Sequence, residues 1–140
     1  MDAAVGRNCP NQRNDVLLVQ YLLQENMRLK NFSYIPSTVL DGKVQIPVNG
    51  LWDQSWDTFL FNYQNELKHR GRPVVHDGRV DPVMGGRVFG PIHHTMYTIL
   101  WLNMGYLEMR PADFPKIAEV GDCPPELRSR IKVQFAKPDA

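Results

Sequence analysis

The chain has no apolar run approaching the roughly 20 residues that span a bilayer. Its longest, around Tyr97 to Met104, is interrupted by Thr98 and Asn103. The start, Met1-Asp2-Ala3-Ala4-Val5-Gly6-Arg7, lacks the basic-then-apolar order of a secretory signal. The expectation is a protein made in the cytoplasm, reaching a periplasm or cell wall by lysis or by a signal-independent route. A basic surplus is missing too: 16 Lys and Arg against 15 Asp and Glu leave a net charge of +1. No Lys/Arg block forms a phosphate-tracking stripe, so neither nucleic acid nor membrane insertion is expected. Cysteine is scarce. Cys9 and Cys123 lie near opposite ends, too few for a disulfide framework or a zinc set. They stand either as free thiols or, where the termini meet, as one staple contributing roughly 4 kcal/mol through chain entropy.

Catalytic signatures are absent as well. There is no Gly-x-Ser-x-Gly elbow, phosphate loop or His-Glu-x-x-His helix. No pair among the fifteen acids stands out by glycosidase spacing. Cys9 has no marked base or positive setting to activate it. His93 and His94 are adjacent, and neighbours on a helix point apart. His69 and His76 stand near Asp77 and Asp81 without the ligand spacing of a catalytic zinc site. The expectation is no catalysis, no metal and no cofactor.

What is present fits one domain of 140 residues. Residues 6–13 are polar and read as an ordered arm. Beyond Asn14-Asp15, either of which is placed to accept the free amides of a first helical turn, Val16, Val19, Gln20 and Leu23 share a helical stripe. That predicts a helix ending near Arg28 to Lys30. Residues 31–48 carry Pro36, Pro47 and Asp41-Gly42, which predicts a loop with a short hairpin or extended piece at Val44-Gln45-Ile46. Asp53 or Ser55 then caps a second helix bearing Trp56, Phe59, Leu60, Tyr63 and Leu67, with Gly71 as its stop. Residues 72–91 are a Gly/Pro loop. A third helix is predicted from about Ile92 to Asn103, stopped by Gly105. A proline-punctuated tail follows, with one short helix around Glu126 to Ile131.

Three phrases in order resemble a known family. Asn14-Asp15-Val16-Leu17-Leu18-Val19-Gln20-Tyr21-Leu22-Leu23 is similar to the first helix of peptidoglycan-binding-like domains. Asn49-Gly50-Leu51-Trp52, followed by Tyr63-Gln64, resembles that family's second turn and helix. Asp77-Gly78-Arg79-Val80-Asp81-Pro82, with Thr98-Ile99-Leu100-Trp101-Leu102-Asn103, resembles the third. The resemblance implies a mainly α fold: a three-helix bundle over residues 14–106, with long Gly/Pro loops. An arm (1–13) precedes it and an irregular extension (107–140) follows. The implied function is attachment to cell-wall peptide or glycan. The chain departs from the pattern at Asp53, where a second glycine is usual, and at Trp56, where a threonine is usual. The segment between the first two helices is longer than in simple members.

Several residues have two readings. Gln20 and Gln64 occupy matching places in their helices, where an amide either tethers loop backbone inside the core or contacts ligand; tethering is the expected role. Trp56 and Trp101 are expected in the core. Trp52, at a turn, is the aromatic expected to be partly exposed, and Tyr34 is another aromatic whose ring would suit a sugar face. The expected ligand contacts are Trp52, Asp53, Arg79 and Asp81, in a groove between the first two helices and the 77–82 loop. The expected partner is peptidoglycan. The alternative is a protein partner, with the same fold reused as an adaptor, chaperone or structural piece of a phage particle or secretion apparatus.

Overall fold

The computed structural model describes residues 1–29, 47–83 and 96–109. Within them the chain is mainly helical, with three helices and one short sheet. In chain order these are β1 (Val5–Gly6), α1 (Arg13–Leu29), α2 (Gln54–His69), β2 (Arg79–Val80) and α3 (Thr98–Met109). The hairpin at 44–46, the helix at 126–131, Tyr34, the His93-His94 pair and Cys123 lie outside the described residues.

Helix α1 occupies the middle and packs on both α2 and α3. Its apolar residues run round more than one face: Val16, Val19, Leu22 and Leu23 are fully enclosed, and Leu17 and Tyr21 nearly so. Each such aliphatic side chain contributes about 1.5–3 kcal/mol relative to exposure. The expected cap at its start is not formed by Asp15. The helix begins two residues earlier, and the Asp15 carboxylate accepts from outside it, from Asp2 N at 3.0 Å and Ala3 N at 2.9 Å. The acidic charge still suits the helix end, but its hydrogen bonds moor the N-terminal arm.

Helix α2 follows its predicted signals closely. Asp53 is extended and its Oδ1 accepts from Trp56 N at 3.0 Å, a side-chain N-cap. Trp56, Leu60, Tyr63 and Leu67 face the core, while Phe59 is half-buried. At the other end Arg72 N donates to Leu67 O and Gly71 N to Lys68 O, with Gly71 at φ +74°. That pairing closes the helix as a Schellman motif.

Helix α3 departs from expectation. It starts at Thr98 and runs through Gly105 to Met109. Gly105 does not stop the helix because its missing side chain is what lets α1 approach. A Cβ there would clash with Asn26 Oδ1 and stand 2.8 Å from Asn26 Cγ. Asn26 Nδ2 meanwhile donates to Leu102 O at 3.0 Å, tying the two helices together. Trp101 is in the core as expected, with its indole N–H donating to Pro73 O at 3.2 Å.

The sheet was not foreshadowed by any periodicity. Val5 pairs with Val80 and Gly6 with Arg79, antiparallel. Val5 and Val80 are both fully enclosed, so the arm contributes to the core.

Candidate functional site

Two glutamines buried in the core build the surface above them. Gln20 Oε1 accepts from Asn49 N (3.0 Å) and Gly50 N (2.9 Å), while its Nε2 donates to Leu51 O (2.7 Å). Gln64 repeats the device one turn later in the chain. Its Oε1 accepts from Gly78 N (2.8 Å) and its Nε2 donates to Arg79 O (2.8 Å) and Thr98 Oγ1 (2.9 Å). In each turn an Asx side chain accepts from the residue two ahead, Asn49 from Leu51 and Asp77 from Arg79. The glycine between them sits at φ +77° (Gly50) or +71° (Gly78), a conformation that favours glycine. Both glutamines therefore tether loops, as expected, and neither reaches solvent.

The first clamp delivers Leu51, Trp52 and Asp53 to the surface at the head of α2. The second delivers β2, whose pairing with β1 brings the arm alongside. The arm then turns on Asn11, whose side chain accepts from Gly6 N and donates to Gly6 O, both at 2.9 Å. Asn8 and Asn11 take positive φ, which asparagine tolerates better than most residues.

Between arm and helix lies an open cleft of about 380 Å³, lined by Gly6, Arg7, Asn8, Asn11, Trp52, Asp53, Gln54 and Asp57. Trp52 is half-buried. It stacks on Trp56 with ring centroids 5.9 Å apart and planes at 30°. Its indole N–H donates to Asp57 Oδ1 at 2.6 Å, and the other Asp57 oxygen meets Arg7 Nε at 3.4 Å. The Asp57 side chain is 17% exposed against 72% for Arg7, so the arginine is the free end of this bridge.

No family model, curated protein or solved structure matches the chain.

Of the four residues singled out in the sequence, the cleft contains Trp52 and Asp53. Arg79 and Asp81 pair with each other at 3.1 Å on the exposed side of β2 and are not among its lining. The nearby carboxylate of Asp81 raises the Arg79 pKa, holding the guanidinium charged. The cleft faces the arm, and α1 contributes no lining residue to it. Arg7, Asn8, Asn11, Gln54 and Asp57 were missed. Asp57 was detectable, since it stands four residues after Asp53 and so on the same helical face. The arm residues were not, because only the distant β1–β2 pairing brings them there.

Cys9 sits beside this region with its pKa raised, first by burial and then by Asp81, Asp77 and Asp57, against the lowering effect of Arg79. Such a thiol is held protonated, the opposite of an activated nucleophile. His76 packs against Phe61 with ring centroids 3.9 Å apart. Among the described residues no group of three or more His, Cys, Asp or Glu is placed to hold a metal ion.

Proposed function

We propose that the chain is a non-catalytic recognition module that attaches to bacterial cell wall, with Trp52 and Asp53 as central contacts and Arg79 and Asp81 flanking them. The observation that carries this is the cleft itself: one half-buried indole set among amide and carboxylate side chains, a chemistry of recognition. Helices joined through Asx-Gly turns, each turn clamped by a buried glutamine, agree with a peptidoglycan-binding-like three-helix bundle over residues 14–106. We extend the reading to that fold. The order of the three sequence phrases supports it independently.

The test is co-sedimentation of the purified chain with peptidoglycan sacculi. Wild type is expected in the pellet, and Trp52→Ala is expected to bind about tenfold or more weakly while keeping its melting temperature within a few degrees. A chain that stays in the supernatant at all sacculus concentrations refutes wall attachment.

A second reading, protein docking within a phage particle or secretion apparatus, draws on a different observation. Leu51 and Phe61 are 65% and 50% exposed, and Met104 and Leu107 project from α3. Large apolar side chains held in solvent suit a protein partner. An affinity-tagged chain that retains one stoichiometric protein, and releases it on Phe61→Ser substitution, would favour docking.

A further inference from the structure

The cleft's charge and shape distinguish between the two chemistries a cell wall offers, and this step rests on the wall-binding reading. Peptidoglycan presents neutral N-acetylated sugar rings and short peptides rich in carboxylates. The cleft and its surroundings carry Asp53, Asp57, Asp77 and Asp81 against Arg7 and Arg79. Both arginines are already bridged, to Asp57 and Asp81. A carboxylate-bearing ligand would meet four carboxylates against two guanidinium groups and would compete with Asp57 and Asp81 for them.

A sugar ring meets better conditions. Trp52 is the aromatic side chain that lines the cleft, and its indole is fixed in place from two sides, by the stack on Trp56 and by the bond from its N–H to Asp57. Little side-chain entropy remains to be lost when a ring lies against it. Around the indole stand the amides of Asn8, Asn11 and Gln54 and the carboxylates of Asp53 and Asp57. Amides both donate and accept, and ionised carboxylates accept strongly from hydroxyls. A volume of about 380 Å³ falls at the lower end of the roughly 300–1,000 Å³ usual for small-ligand sites, enough for a ring or two. We propose that the cleft takes the neutral N-acetylhexosamine glycan of the wall, stacked on Trp52, and not its peptide.

The experiment titrates the full chain with a neutral N-acetylglucosamine tetramer and, separately, with a soluble stem tetrapeptide, following tryptophan fluorescence and NMR shifts. The tetramer is expected to perturb the Trp52 indole with an affinity that changes less than about twofold between low and high salt. Trp52→Ala should abolish the effect, whereas Trp52→Phe, which keeps a flat ring, should weaken binding only a few-fold. Binding of the tetrapeptide without the tetramer overturns the glycan assignment. So does an unaltered tetramer affinity in Trp52→Ala, or no response to the tetramer at millimolar concentration. Sacculus sedimentation run alongside separates the failures, because sedimentation with peptide binding keeps wall attachment and discards the glycan alone.

Discussion

Gln64 is fully enclosed, yet its amide meets a turn amide, a turn carbonyl and the Thr98 hydroxyl at 2.8–2.9 Å. Truncation to alanine leaves those groups without a partner inside the protein. Leaving buried polar groups unpaired costs about 1–3 kcal/mol. Gln64→Ala is therefore expected to lose about 2–3 kcal/mol, read as a lower urea midpoint at unchanged slope. Gln64→Glu should be no better, since it would set a carboxylate against the Arg79 carbonyl and Asp77. Wild-type stability in either variant would contradict the clamp. The role of these glutamines was legible in the sequence because an amide amid apolar helix neighbours, with an Asx-Gly phrase downstream, has few other ways to be satisfied. Asp15 was not legible. A carboxylate in a first turn suits its own helix end equally well, and only the folded arm shows that it accepts from Asp2 and Ala3 instead.

Among the elements, α3 shows how a distant partner can reverse a local rule. Glycine in a helix interior is about 1 kcal/mol less favourable than alanine, so Gly105→Ala would ordinarily stabilise. Here the added Cβ falls on Asn26 Oδ1, in a side chain that is itself buried and hydrogen-bonded to Leu22 O and Leu102 O. The substitution is expected to destabilise by about 1–3 kcal/mol, the usual cost of overpacking. Asn26→Ala should destabilise on its own through its lost bonds, and the double variant should be less destabilised than the sum of the two, since the clash needs both. Strict additivity in urea unfolding of the four proteins would show that the helices do not meet as described. The sequence identified all three helices from their apolar spacing. It misplaced this one's limits because Gly105 read as punctuation when only Asn26, on another helix, explains it. Two-residue strands carry no period at all, so β1 and β2 were beyond any local pattern.

At the scale of the whole molecule, one pairing determines both core and cleft. β1–β2 buries Val5 and Val80, and the same contact sets Arg7, Asn8 and Asn11 opposite Trp52. Half of the cleft therefore exists only once the fold is complete, which is why the sequence pointed to Trp52 and Asp53 ahead of α2 and missed the arm. The core that this pairing helps to close encloses Tyr63, and its ionisation couples the entire fold to alkaline pH. Burial raises the Tyr63 pKa above its ordinary value, and Glu108 adds to the rise, with Arg70 and Arg72 opposing. The neutral phenol is thus favoured in the folded chain, while the unfolded chain ionises near pH 10. Its contribution to stability is complete below about pH 10 and is lost as the pH climbs from there toward the raised folded value. Over that window the loss is about 1.4 kcal/mol per pH unit for one such group. Tyr63→Phe removes the phenol, so whatever it costs near neutrality, its stability should fall less steeply between about pH 10 and 12. Urea unfolding of both proteins across that range measures the two slopes. Parallel lines would mean that the Tyr63 phenol is in contact with water, and that the α2 face of the core is open where the fold requires it closed.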